Sequence, residues 1–229
     1  MLTLYIGNKN YSSWSMRPWL LMKELNIPFN EQREPLVATG GDVDYRTFSP
    51  SAKVPCLLDG KVAVWDSLAI IEYIAEVHRE VWPGAVEARA WARSAAAEMH
   101  SGFGALREQC SMNCGLRVKK LSISAPLQKD IDRLNALWEE GLTRFGGPFL
   151  AGNRFTAVDA FYAPVASRIQ TYNLSMTENA AAYAQRLLAL SGVQEWYNAA
   201  LQEPWRHPDY EAAALRDATF IADHRIAAS

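Results

Sequence analysis

The sequence is poor in cysteine and has almost no excess charge of either sign. Three cysteines occur among 229 residues, an odd number with no CxxC pair, which excludes a disulfide framework and a zinc-ligand pattern. The net charge of −2 lacks the basic footprint of a nucleic-acid-binding protein. No apolar run approaches the ~20 residues of a membrane span, and the first residues show no secretory signal. We therefore expect a cytoplasmic protein that binds neither nucleic acid nor membrane.

What the sequence does contain is typical of a globular protein with two domains. Hydrophobic residues make up 49% and charged residues 21%, near the averages for soluble proteins, and the length exceeds that of one common domain. Residues 1–80 alternate β-like and helical runs in the order β-α-β-loop-β-β-α, with a hairpin turn at Asp59-Gly60. This order predicts an α/β domain over residues 1–80, built on a four-stranded mixed sheet.

The rest of the sequence has a helical pattern. After a linker at residues 81–86, residues 87–229 are rich in good helix formers and show almost no strand pattern. Apolar residues at helical spacing predict a helix over about 124–145, and another is predicted over about 178–201. Between them, Thr156 and Asp159 have the spacing of a capping box. We therefore expect an all-helical C-terminal domain over residues 87–229.

A cluster of hydroxyls lies where the first helix is expected to begin. Ser12, Ser13 and Ser15 precede Pro18. Proline fits in the first turn, so we expect the helix cap near residues 13–15. The simplest role is that one serine caps the helix and the others belong to a loop. Since one cap needs one serine, the other hydroxyls are left over, and a ligand is the alternative. A helix N-terminus carries unpaired N–H groups and about half a positive charge, and it therefore favours an anion.

Two further motifs adjoin strands of the same small sheet. Val54-Pro55 lies directly before a strand. A cis peptide bond there, which is uncommon, would expose the backbone of Val54 for pairing with a peptide-like ligand. Asp66-Ser67 begins the helix after the hairpin. Its simplest role is a helix cap. A carboxylate, a hydroxyl and helix N–H groups together also suit the amine and carboxylate of an α-amino acid.

Together these motifs resemble the glutathione S-transferase superfamily, and most closely its serine-type zeta class. The residues that carry the resemblance are Ser12-Ser13-Trp14-Ser15-Met16-Arg17, Ser49 to Pro55, Asp66 to Ile70, and Thr156 to Asp159. The resemblance extends to about residue 200. It implies a thioredoxin-like N-terminal domain that binds glutathione, followed by an all-helical domain.

The resemblance also implies site residues. Ser12 corresponds to the serine that hydrogen-bonds the glutathione sulfur, Ser13 is the second candidate for this catalytic role, and Tyr11 is the third. Trp14 stands where the zeta motif has cysteine, which argues against thiol exchange. The implied glutathione-binding residues are Lys53, Val54, Pro55 after a cis peptide bond, Asp66 and Ser67, the last two holding the γ-glutamyl head.

The implied activity is that of a glutathione transferase. Glutathione is the co-substrate, and its thiolate attacks a hydrophobic electrophilic small molecule, as in detoxification. Neither a metal nor a histidine base is required, and a homodimer is expected. The second substrate would lie between the domains, where the start of the second domain could line it with His100, Phe103, Gly104, Arg107, Ser111 and Met112. For each of these residues, a place in the helix core or on the helix surface is the simpler role.

Two alternatives stay open. A zeta-like cis-trans isomerase acting on a maleylacetoacetate-type double bond comes second, because the zeta class has an arginine where this sequence has Thr171, and the nearest arginine is Arg168. The other alternative is a non-catalytic glutathione-binding or stress-related interaction protein on the same fold. A glutaredoxin-like reductase is disfavoured, because the first helix starts without a cysteine.

Overall fold

The computed structural model of the chain describes residues 1–35 and 44–225. Its first part is a four-stranded sheet in the order β2-β1-β3-β4. The strands are β1 (Leu2–Ile6), β2 (Phe29–Arg33), β3 (Cys56–Asp59) and β4 (Val62–Trp65). β1 runs parallel to β2 and antiparallel to β3, and β3 pairs antiparallel with β4, so the sheet is mixed as predicted.

Two helices complete the predicted order of this domain, α1 (Ser13–Glu24) and α2 (Ser67–Ala75). The expected cap of α1 near residues 13–15 is wrong, because Ser12 already accepts from the N–H of Ser15 with its side chain and from the N–H of Met16 with its carbonyl. Pro18 consequently lies beyond the first turn, where its missing N–H removes a single helical hydrogen bond.

The second part is predominantly helical. Its helices are α3 (Val86–Ser101), α4 (Gly104–Gln109), α5 (Ala125–Phe145), α6 (Ala157–Tyr172), α7 (Glu178–Leu188), α8 (Ser191–Leu201) and α9 (Pro208–Leu215). In addition, one short 3₁₀ turn lies in the first part at Tyr45–Thr47, and another follows α2 at Arg79–Val81. The predicted helix over 178–201 is in fact two helices, since Glu24 of α1 accepts from the N–H of Gly192 and so starts α8 afresh. No described helix is long and apolar enough to cross a membrane.

The expectation of an all-helical C-terminal domain needs one correction. Two strands, β5 (Leu116–Lys120) and β6 (Ala218–Asp223), form a small antiparallel sheet. Each strand is short and finds its only strand partner, among the described residues, at a distant point of the chain. A local pattern therefore gave no signal for either strand. β6 lies near the chain end, so this pairing folds the C-terminal residues back onto the helices.

The central helix of the second part is α6, which packs against α1, α3 and α7. The predicted capping box at its start is present: Asp159 accepts from the N–H of Thr156 at 2.9 Å. Asp159 is fully buried and also accepts from the N–H of Leu150 and the hydroxyl of Tyr183. This network fixes the start of α6, and the packing of α6 on α1 brings the second domain against the serine cluster.

Candidate functional site

A cleft of about 420 Å³ opens between the serine cluster and the helices of the second domain. It is lined by Tyr11, Ser12, Ser13, Trp14, Tyr45, Ala52, Lys53, Val54, Arg107, Ser111, Met112, Arg168 and Tyr210. A second cleft of about 340 Å³ is lined by Trp14, Ser51, Lys53, Val54, Pro55, Trp65, Asp66 and Ser67. Trp14, Lys53 and Val54 belong to both, so the three predicted motifs lie along one continuous depression.

Ser12 caps α1 at the edge of the first cleft. Its hydroxyl donates to Ser15 Oγ at 2.7 Å, and Ser15 Oγ also accepts from the N–H of Gly7 at 3.1 Å. Ser12 is 6% exposed and Ser15 is fully buried. The Ser12 oxygen is therefore held at the helix N-terminus, with its proton shared between two hydroxyls rather than tied to a carbonyl.

Ser13 differs from Ser12 in its partner. Its Oγ accepts from Arg168 Nη2 at 3.2 Å. Arg168 lies on α6 and also donates to the carbonyls of Cys110 and Pro164. Since the Ser13 oxygen accepts from a guanidinium, its own proton is available for donation. Ser12 and Ser13 are thus two differently supported donors at one helix N-terminus.

Tyr11, the third candidate, is oriented toward the end of the chain. Its hydroxyl donates to Glu211 Oε1 at 2.6 Å and accepts from the N–H of His207 at 3.2 Å. Burial, together with the hydrogen bond to Glu211, raises the pKa of Tyr11 to about 12. This phenol therefore stays neutral near pH 7, and its proton already has an acceptor.

The second motif lies where the two clefts meet. The Val54–Pro55 peptide bond is cis, as the resemblance predicted. Ser49 donates from its hydroxyl to the carbonyl of Lys53 at 2.7 Å and so fixes the turn before it. Val54 and Lys53 face both clefts, which places the predicted backbone pairing site beside the serine cluster.

The third motif forms one end of the second cleft. Asp66 caps α2 by accepting from the N–H groups of Leu68 at 2.8 Å and Ala69 at 3.4 Å, and its φ of +77° is unusual for a non-glycine residue. Its other oxygen lies 3.5 Å from His100 Nε2. Burial lowers the pKa of His100, so this contact leaves the carboxylate available for a ligand cation.

Ser67, the next residue, is fully buried and accepts from Arg17 Nη1 at 3.3 Å. Arg17 has no exposed surface, and its Nε and Nη2 have no hydrogen-bond partner. Its guanidinium lies 4.1 Å from the centre of the Trp14 ring. The serine therefore has a positively charged group behind it and a cleft in front of it.

Arginines from both domains make this site electropositive. Within residues 1–35 and 44–225, no carboxylate lies within 4.0 Å of Arg17, Arg107 or Arg168. Burial, and then repulsion from Arg107, lowers the pKa of Arg168 to about 10, and the same two causes lower the pKa of Arg17. Arginine side chains keep their positive charge in proteins at neutral pH. Buried cations without a counter-charge are costly, so an anion in the cleft relieves this repulsion.

The expected second-substrate residues are divided by the structure. Arg107, Ser111 and Met112 line the first cleft. His100, Phe103 and Gly104 do not line this cleft. His100 packs against Trp14 and Asp66, and Phe103 is buried between α3 and α4, where its own backbone is in the left-handed region.

Sequence reasoning missed Tyr45 and Tyr210 as cleft residues, because each reaches the cleft from a segment with no motif of its own. It considered Arg168 only as the arginine nearest to Thr171. Among the described residues, no group of three or more His, Cys, Asp or Glu side chains is arranged to hold a metal ion.

Comparison with known families identifies the class of protein that this fold and site define. The family model "Glutathione S-transferase, N-terminal domain" matches residues 11–77, and "Glutathione S-transferase, C-terminal domain" matches residues 89–199. The two matches together span most of the chain. The chain therefore belongs to the glutathione S-transferase superfamily and is a glutathione-dependent enzyme of that family.

Individual relatives agree with this assignment. A probable maleylacetoacetate isomerase of Caenorhabditis elegans is 28% identical over 76% of this chain and 81% of its own length. A protein of the same name from Vibrio cholerae is 26% identical over 77% and 86%. The solved structure of a glutathione transferase homologue from Burkholderia BGR1 with bound glutathione has a TM-score of 0.66 at 22% identity, covering 87% of this chain and 97% of that one.

Proposed function

We propose that this enzyme ionises the thiol of bound glutathione and directs the thiolate at an electrophilic small molecule, as a glutathione transferase does. One observation carries the proposal: the hydroxyls of Ser12 and Ser13 lie at the N-terminus of α1 and line a cleft whose second-domain side contributes two arginines. Hydroxyl donors, a helix dipole and unpaired cations all stabilise a thiolate more than a thiol.

Ser12 is the proposed thiolate donor. Its hydroxyl donates to Ser15. Rotation of the two hydroxyl hydrogens reverses that bond, so that Ser15 donates to Ser12 and Ser12 donates to sulfur. A free thiol has a pKa of ~8.5. A hydrogen bond to a charged group contributes ~1.5–3 kcal/mol, which lowers a pKa by about one to two units. Bound glutathione is then largely ionised near neutrality.

Glutathione is proposed to lie along both clefts. Its cysteinyl backbone pairs with Val54 beside Lys53 and Pro55, and its γ-glutamyl amine approaches the free oxygen of Asp66. The γ-glutamyl carboxylate accepts from Ser67. Because Ser67 Oγ already accepts from Arg17, its own proton is available to that carboxylate.

The test is the ultraviolet absorbance of the bound thiolate, titrated against pH. Wild-type protein is expected to show a midpoint below that of free glutathione, and Ser12→Ala is expected to move the midpoint back up. Retention on immobilised glutathione, and its loss in Ser67→Ala, tests binding separately. An unchanged midpoint in Ser12→Ala contradicts the role of Ser12. Binding without any ionisation supports the non-catalytic alternative.

A second candidate is glutathione-dependent cis-trans isomerisation of a maleyl-type double bond. The two curated relatives carry the name of such an enzyme. Thr171 is buried and donates to the carbonyl of Asn113, but Arg168, one turn earlier on α6, does line the cleft and suits a substrate carboxylate. Assaying maleylacetone isomerisation beside conjugation of 1-chloro-2,4-dinitrobenzene separates the two activities.

We also propose that the enzyme is cytoplasmic, as its few cysteines suggest, and that it is a homodimer, which rests on the family alone. Light scattering of the purified chain tests the homodimer, and a monomer mass contradicts it.

A further inference from the structure

We propose that Tyr210 determines specificity for the second substrate, and that residues 203–225, here called the C-terminal segment, hold it in the cleft. This inference rests on the proposed function. The family-model match ends at residue 199, so the segment lies beyond the part of the chain that the model matches. It carries Tyr210, the one described residue after position 199 that lines the first cleft.

The C-terminal segment is attached directly to the loop that leads into Ser12. The buried carboxylate of Glu203 accepts from the backbone N–H of Lys9 at 2.8 Å and of Asn10 at 3.2 Å. Further along, Tyr11 donates to Glu211 at 2.6 Å. Two carboxylates of the segment therefore bind three consecutive residues, which immediately precede the serine proposed to activate the thiol.

The far end of the segment is fixed by an ion-pair network. Arg225 contacts Glu211 with both terminal nitrogens, at 2.5 and 2.8 Å, and contacts Asp223 at 2.6 Å. The Arg225 side chain lies directly on Gly115, where a Cβ atom would collide with it. Glycine at this position thus permits the pairing of Arg225 with Glu211, one residue from Tyr210.

The ring of Tyr210 is held between two neighbours. It stacks on Tyr11 with ring centres 5.2 Å apart, and it meets His207 edge-on at 4.8 Å. The cleft it enters also contains the rings of Trp14 and Tyr45. A ring immobilised among other rings has little conformational entropy to lose on binding and offers a flat contact surface. The cleft therefore suits a planar, aromatic group attached to the glutathione sulfur.

Two glutathione conjugates isolate this contact. S-methylglutathione carries a group too small to fill the cleft, and S-benzylglutathione carries an aromatic ring into it. Calorimetric titration of both ligands gives the ratio of their dissociation constants for the wild type, Tyr210→Ala and Tyr210→Phe. We expect Tyr210→Ala to lose about tenfold of the preference for the benzyl conjugate, and Tyr210→Phe to retain most of it.

A control variant is available on the same segment. Phe220 is 56% exposed and lies outside the cleft lining, so Phe220→Ala should leave the ratio unchanged. Arg225→Met, which releases Glu211, should reduce the preference in the same direction as Tyr210→Ala. An unchanged ratio in Tyr210→Ala, with both conjugates still bound, overturns this inference alone. Failure of the wild type to bind either conjugate overturns the proposed function as well.

Discussion

The N-termini of α1 and α6 are built from similar sequence signals but have different roles. At α6 the carboxylate of Asp159 accepts four hydrogen bonds, from Leu150, Tyr183 and twice from Thr156, and nothing there is exposed. At α1 the cap is the neutral hydroxyl of Ser12, which faces a cleft. One helix end already holds an anion, whereas the other has room for one.

The surrounding charges sharpen this contrast. Asp159 supplies the negative charge that a helix N-terminus favours, so α6 has no need of a ligand. Beside the start of α1, Arg107 and Arg168 line the cleft, and Arg17 and Arg107 lie against the ring of Trp14. A helix end that is capped by a neutral group beside these cations can accept an anion, and under the proposed function that anion is the glutathione thiolate.

The largest effect on stability is expected from removing the carboxylate at the start of α6. Asp159→Ala leaves buried donors from Leu150 and Tyr183 without an acceptor, so we expect the free energy of unfolding to fall by about 3 kcal/mol. Urea denaturation measures this loss. Ser124→Ala is the matched control, since Ser124 caps α5 with an ordinary serine hydrogen bond and should cost only about 1 kcal/mol. Equal losses would remove the distinction between the two caps.

The pH dependence of stability tests the charge at the same position. Burial raises the pKa of Asp159 to about 6 against the opposition of its hydrogen bonds, so the folded state holds a proton that the unfolded state releases. Stability from this residue is therefore greatest at low pH and declines as the pH rises from about 4 to 6. The difference in unfolding free energy between wild type and Asp159→Asn should grow as pH is lowered through that window. A difference in unfolding free energy that stays constant with pH contradicts the raised pKa of Asp159.

At the α1 end the expected effect is on chemistry more than on stability. Ser12→Ala should cost about 1 kcal/mol of stability as a lost cap but raise the pKa of bound glutathione by about one to two units. The rate of conjugation at pH 7 should then fall about ten- to a hundredfold. Stopped-flow turnover across pH distinguishes this from simple misfolding, because the activity should recover at high pH.

Ser13→Ala should have a smaller effect than Ser12→Ala. Removing the Ser13 hydroxyl leaves the cap of α1 intact, and Arg168 keeps its two carbonyl partners at Cys110 and Pro164. We expect the midpoint of the thiolate titration to rise by less than one unit. A larger rise in Ser13→Ala than in Ser12→Ala would transfer the catalytic role to Ser13.

Several features of the fold could be predicted from the sequence because each depends on residues that lie close together in the chain. The hairpin at Asp59-Gly60, the capping box and the order of elements in the first domain each follow from short-range patterns, and the structure confirms them. The predicted position of the α1 cap is wrong because the prediction requires Pro18 to lie in the first turn. A helix tolerates the loss of the one hydrogen bond that an internal proline removes.

What could not be predicted depends on residues far apart in the sequence. Arg168 contacts Ser13, Tyr11 contacts Glu211, and β5 pairs with β6, each across a long stretch of the chain. No local period encodes such meetings. The motifs predicted for glutathione are contiguous in the sequence, and the structure brings them to one depression. The residues around the predicted position of the second substrate come singly from several segments and could not be predicted in this way.

Tyr11→Phe should have the smallest effect on the thiol. With its pKa near 12 and its proton donated to Glu211, Tyr11 neither ionises near neutrality nor has a proton free for sulfur. Loss of the hydroxyl leaves the Glu211 carboxylate paired with Arg225 and should cost about 1 kcal/mol of stability. The midpoint of the bound thiolate should stay within about 0.3 units of wild type. A rise comparable to that of Ser12→Ala would show that the tyrosine, and not the helix cap, supports the thiolate.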